Sequence, residues 1–158
     1  MSKPSVNIKV LRPIKVLRPT RPVTAVPLDD TLWHWRRVTL DDLAEALRAS
    51  WDAETSSDPN WSPSRPSLGQ CAVSALVVQD KFGGDLIRAV VQGDSHYWNR
   101  LRDGSEVDVT RDQFDRWCPV DEVVRDRSYV LSFPETAARY AVLRRRVCLA
   151  LRNTRRDV

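Results

Sequence analysis

A thiol, an imidazole and a carboxylate can together break an acyl bond, and this chain offers few of the first two. It has three cysteines, at 71, 118 and 148, and two histidines, at 34 and 96. Cys71 stands in GQCAVSAL, residues 69 to 76, where a helix opens. In a first helical turn its sulfur lies near unpaired N–H groups and the positive end of the helix dipole, which stabilise a thiolate. Gly69 would let a substrate approach the backbone. Packing is the competing reading, because free cysteine is among the most buried residue types and Ala72, Val73, Ala75, Leu76, Val77 and Val78 look like core. A nucleophile also needs a base held by an orienting partner. His34, in LWHWRR, reads as a partly buried, hydrogen-bonded group. His96 opens HYWNRLRDGSEVDVT, residues 96 to 110, which alternates like two strands around an Asp-Gly loop.

Alternation puts His96 and Trp98 on one face and Tyr97 and Asn99 on the other. The face that Asp108 joins depends on the loop. A two-residue loop, Asp103-Gly104, pairs Asn99 with Asp108 and turns the carboxylate away from His96. A three-residue loop, Arg102-Asp103-Gly104, pairs Leu101 with Ser105, Trp98 with Asp108 and His96 with Thr110. His96 and Asp108 are then diagonal neighbours within reach of a hydrogen bond. A type I turn closed by a left-handed glycine is a common hairpin of this second kind. Register therefore decides the chemistry.

The elements that must position these groups follow from periodicity. Thr39 caps a helix with Asp41 and Asp42 in its first turn and Leu40, Leu43, Ala44, Leu47 and Trp51 on one face. TSSDPNWSPSRPSL, 55 to 68, is rich in Ser and Pro and reads as a long loop, ordered if Trp61 buries. The Cys71 helix runs from about 69 to 81 and stops at Gly83-Gly84. Leu86–Val91, Ser95–Leu101 and Ser105–Thr110 read as three strands. Irregular and weakly helical pieces follow around Asp112 to Trp117. A last helix starts near Pro134 with Ser132 as its cap, Tyr140, Leu143, Val147 and Leu151 facing inward, and Arg144, Arg145, Arg146 and Arg152 mostly outward. The order is α+β: a Cys-bearing helix on a small antiparallel sheet, closed by a C-terminal helix.

Here a family resemblance enters. A helix-opening Cys, a strand with H-x-W and a strand with D-x-T, in the order Cys71, His96, Asp108, is similar to the transglutaminase-like branch of the papain-like cysteine enzymes. The strings WSPSRPSLGQCAVSALVVQD, HYWNRL, DVTRDQF and SYVLSFPETAARYAVLRRRV resemble the YunG family over about residues 31 to 152. The superfamily likeness implies a papain-like/transglutaminase-like core with Cys71 as nucleophile, His96 as base and Asp108 fixing the imidazole tautomer. Papain has a Gln several residues before its Cys, whereas Gln70 is adjacent here. The backbone N–H of Cys71 is the first oxyanion donor, with Gln70 and Trp61 as candidate partners and Trp98 and Asn99 as further groove residues.

The expected activity is that of a cysteine hydrolase or acyltransferase acting on an amide or peptide bond. Peptide hydrolysis, deamidation and acyl transfer share the acyl-enzyme step. The other class is a non-catalytic binding module that uses the same fold or its basic ends for a protein or nucleic-acid partner. Charge weighs against nucleic acid: residues 1 to 27 and 139 to 158 each carry net +6, but 28 to 138 hold 12 basic and 20 acidic residues, net −8. Cys118 and Cys148 lack a nearby base and read as packing residues. No close ligand pairs suggest a metal, no glycine-rich phosphate loop suggests a nucleotide, and no cofactor is expected. No run of about 18 apolar residues spans a bilayer. The odd, widely spaced cysteines and the lack of a signal-peptide pattern favour the cytoplasm. Residues 1 to 27, with a duplicated IKVLRP at 8 to 13 and 14 to 19, read as a basic Pro-rich tail, in which V-L-R-P could also dock in a partner's groove. Residues 28 to 153 read as one domain, and 154 to 158 as a second basic tail.

Overall fold

The computed structural model describes residues 38–153; the proposed tails and His34 lie outside the described residues. Thr39 caps α1 (Leu40–Ser50) as a capping box: its hydroxyl accepts from Asp42 N at 3.2 Å, and its own N–H donates to Asp42 Oδ2 at 2.8 Å. α1 buries Leu43, Ala46, Leu47 and Ser50. The helix α2 (Cys71–Phe82) is buried from Val73 through Val78, so it is a core helix rather than an amphipathic one. Gly83, at φ 70°, stops it, its N–H bonding to Gln79 O. Gly84 is needed for space, since a Cβ there would strike Arg100 O and lie 2.9 Å from Leu101 Cα.

Four antiparallel strands follow: β1 (Asp85–Val91), β2 (Asp94–Arg100), β3 (Glu106–Val107) and β4 (Val120–Arg125). Their order in the sheet is β3-β2-β1-β4. The third strand is shorter than its sequence suggests. β4 was not foreseen: VDEVVR is exposed along almost its whole length, so no burial period marks it, and a register shift opposite Arg88 to Val90 accompanies Asp121 at φ 57°. A short α3 (Arg127–Leu131) leads into α4 (Pro134–Asn153). Ser132 ends α3, its hydroxyl donating to Tyr129 O, and so does not cap α4.

The two sheet faces differ. Leu86, Tyr97, Val107 and Val109 join the large core formed with α1, α2 and α4 around Leu43, Leu47, Leu76, Leu143 and Val147. Ile87, Ala89 and Trp98 form a second, smaller cluster with Trp117, and Ala89 pairs with His96 in the register. The chain between β3 and β4 joins opposite sheet edges, and its Phe114 and Trp117 rings lie against His96, so this connection covers the second face. Arg144 differs from its expected outward position. It is 7% exposed, with Nε 3.6 Å from Asp80 Oδ2. Asp80 also meets Arg127 at 2.7 Å and accepts from Tyr140 OH at 2.6 Å, tying α2, α3 and α4 together. Burial raises both Asp80 and Tyr140 above their ordinary values, and the Tyr140 phenol stays protonated.

Candidate active site

The hairpin takes the three-residue loop. Asn99 pairs with Val107 and Arg100 with Glu106, and Leu101 N donates to Ser105 O at 2.8 Å. Gly104, at φ 85°, donates its N–H to Leu101 O at 3.0 Å and closes the turn. Continued by one step, this register sets Trp98 opposite Asp108 and places Asp108 diagonally across from His96. His96 Nε2 lies 2.7 Å from Asp108 Oδ2. A carboxylate only accepts, so Nε2 carries the hydrogen and Nδ1 is left for other partners. The second carboxylate oxygen, Oδ1, accepts from Thr110 N at 3.0 Å and Thr110 Oγ1 at 3.1 Å. Asp108 is thus aimed at His96 by its own D-V-T segment.

His96 is fully buried, stacked on Trp98 at 5.9 Å between ring centroids and edged by Phe114 at 4.8 Å and Trp117 at 5.7 Å. Burial alone would push this imidazole down. Hydrogen bonds to Asp108 and then to Cys71, with the charges of both, outweigh it and raise the ring to about 9. Cys71 is therefore a second polar neighbour of His96, beside Asp108. It opens α2 and is 8% exposed, with Sγ 3.9 Å from Ser95 O at the start of β2. A cleft of ≈ 220 Å³ opens over it, lined also by Ser57, Asp58, Leu68, Gly69, Gln113 and Phe114.

The loop before α2 holds the Cys71 helix in place. Ser56 Oγ donates to Leu68 O at 2.7 Å, Ser57 N to Gly69 O at 2.9 Å, and Trp51 Nε1 to Ser74 Oγ at 3.0 Å. On its Cβ side Gly69, φ 70°, is closed off by this loop, since a Cβ there would meet Ser56 Oγ, and Asp58 N at 2.6 Å, while the residue still lines the cleft. Gln70 is fully buried, with Nε2 donating to Asp52 O at 2.9 Å and Oε1 without a hydrogen-bond partner. Trp61 is only partly buried; its indole N–H donates to Pro66 O at 2.9 Å, and its ring does not line the cleft. Asn99 faces the helices, donating to Ala75 O at 3.0 Å, while Trp98 forms a wall behind His96. The structure therefore brings Cys71, His96, Asp108 and Trp98 together and directs Gln70, Trp61 and Asn99 to scaffold contacts.

Gln113 has no counterpart in the sequence reading. It ends a 3₁₀ turn, Arg111–Gln113, with Nε2 3.0 Å from Thr110 O and 3.3 Å from His96 Nδ1. Only the string DVTRDQF carried it, and nothing in that spacing shows the chain turning back toward His96.

The family profile described as "YunG protein" matches residues 39–152, and the chain belongs to the YunG family. A stretch of 68 residues is 41% identical to the "Uncharacterized protein YunG" of Bacillus subtilis (strain 168), covering 43% of this chain. The match spans 56% of that relative's length. No solved structure matches the chain.

Proposed function

We propose that the chain is a cysteine-nucleophile hydrolase or acyltransferase acting on an amide or peptide bond through Cys71, His96 and Asp108. One observation carries this reading: a buried imidazole, bound by a carboxylate on Nε2, has a thiol among the neighbours that raise it, and that thiol lines a cleft. The Cys71 sulfur attacks a carbonyl carbon as the thiolate, His96 holds the thiol proton and delivers it to the leaving group, and Asp108 fixes the ring. Water or an amine then takes the acyl group from the sulfur. A papain-like/transglutaminase-like core belongs to the same proposal, supported by the chain order of helix-borne Cys, strand-borne His and Asp on the next hairpin arm. A reducing cytoplasm suits it, since a thiolate nucleophile must remain reduced. Among the described residues no helix is long and apolar enough to cross a membrane, and the substrate proposed is an amide-bearing molecule or peptide.

Alkylation tests this directly, because burial and activation predict opposite orders. Cys118 is exposed and Cys71 is buried. If Cys71 is activated, iodoacetamide followed by peptide mass analysis finds Cys71 modified first, and Cys71→Ala removes that fast phase. Labelling of Cys118 first, with Cys71 reacting as slowly as Cys148, overturns the proposal.

A further inference from the structure

The hydrogen bonds around His96 form a closed circuit. Asp108 binds Nε2 and is held by Thr110; the Thr110 carbonyl holds Gln113; and Gln113 returns to Nδ1. A primary amide nitrogen carries two N–H groups. One, directed at Thr110 O, fixes the side chain. The other meets Nδ1 while that nitrogen is a neutral acceptor. When Nδ1 takes the thiol proton it becomes a donor, and two donors cannot share a hydrogen bond. The second N–H is then released from the ring on the wall of the Cys71 cleft, as the sulfur becomes able to attack.

Of the other side chains near the thiol, Gln70 Nε2 donates to Asp52 O, and the Ser57 hydroxyl on the cleft wall donates to Gly69 O. We propose that Gln113 is a further catalytic residue, which donates its second side-chain N–H to the oxyanion formed when Cys71 attacks a carbonyl. This rests on the Cys71–His96–Asp108 reading. The thiolate electron pair forms the S–C bond and the carbonyl π pair moves onto oxygen, where Gln113 and the Cys71 backbone N–H hold it. On collapse that pair re-forms C=O, the bond to the leaving group breaks, and the leaving group takes the Nδ1 proton. Neutral Nδ1 then accepts the Gln113 N–H again.

Two reagents separate this role from a structural one. Acylation of Cys71 by 4-nitrophenyl acetate passes through an oxyanion and releases 4-nitrophenolate, whereas iodoacetamide alkylates the same sulfur by displacement at a methylene carbon. In the full chain, Gln113→Ala and Gln113→Glu are expected to slow the nitrophenolate burst by about 10²- to 10³-fold while alkylation stays within about threefold of wild type. Equal slowing of both reactions, or of neither, overturns the role of Gln113 and leaves the Cys71 proposal standing. A wild-type chain in which neither reagent prefers Cys71 to Cys118 overturns both.

Discussion

The two faces of the sheet are made from the same strands and do opposite work. On the helix-packed face, Leu86, Tyr97 and Val107 fit into a continuous apolar core, and the polar Asn99 is satisfied by a helix carbonyl. On the other face, one residue along in β2, His96 and Trp98 lie under Phe114 and Trp117, and the buried Trp98 Nε1 has no hydrogen-bond partner. The first face gains from removing apolar surface from water. The second keeps an ionisable ring away from water and depends on a few directed bonds for its charge state. Apolar packing and directed polar contacts are therefore divided along one strand, at the period of two that the backbone imposes.

Breaking the second face should cost rate far more than stability. Asp108→Asn leaves the side-chain shape but removes the charge that helps hold the imidazolium; the burst with 4-nitrophenyl acetate is expected to fall by about 10³- to 10⁴-fold. Its companion readout is the His96 titration followed by NMR, expected to centre at about 9 in wild type and to move lower in the variant.

The helix-packed face should respond in the reverse sense. Leu76 is fully buried beneath the sheet. Leu76→Ala is expected to cost about 2 to 5 kcal/mol in urea unfolding, with little change in the burst rate per folded molecule. A matched loss of rate would show that the two faces are not separable.

The His96 face contributes its own pH dependence to stability. The folded state holds a proton on His96 that the unfolded chain releases near 6.5, while the folded value is about 9. This contribution is fully present below 6.5 and is lost as pH rises through about 9, with a slope of up to about 1.4 kcal/mol per pH unit between them. Urea midpoints at pH 6 and pH 9.5 should therefore differ in wild type, and the difference should shrink in His96→Gln. The smallest effect is expected for Trp98→Phe, which keeps an aromatic wall and deletes an unpartnered buried donor: a stability change within about 1 kcal/mol, because the lost volume and the lost desolvation penalty oppose each other.

Much of this arrangement is legible in the chain. The Thr39 cap, the stop at Gly83, the hairpin and the start of the last helix at Pro134 each rest on local chemistry acting within a few residues. The features that escaped depend on distant partners. β4 is held by its pairing with β1 and carries no burial pattern of its own. Arg144 looks like one more solvated arginine in a run of three until Asp80, from another helix, lies beside it. Gln113 gains its meaning only because the connection between β3 and β4 folds back over the sheet.

By itself the sequence determined the helix that opens at Cys71, the strand that carries His96 and the glycine that closes the hairpin, because capping, alternation and left-handed backbone are local properties. It left open which face Asp108 would join, since a shift of one residue moves the carboxylate across the sheet. Tertiary structure decided that, through the Leu101–Ser105 closure, and it also brought Cys71 within influence of the imidazole. Only packing could do so, because the thiol, the ring and Gln113 lie on three separate elements whose distances no local rule sets.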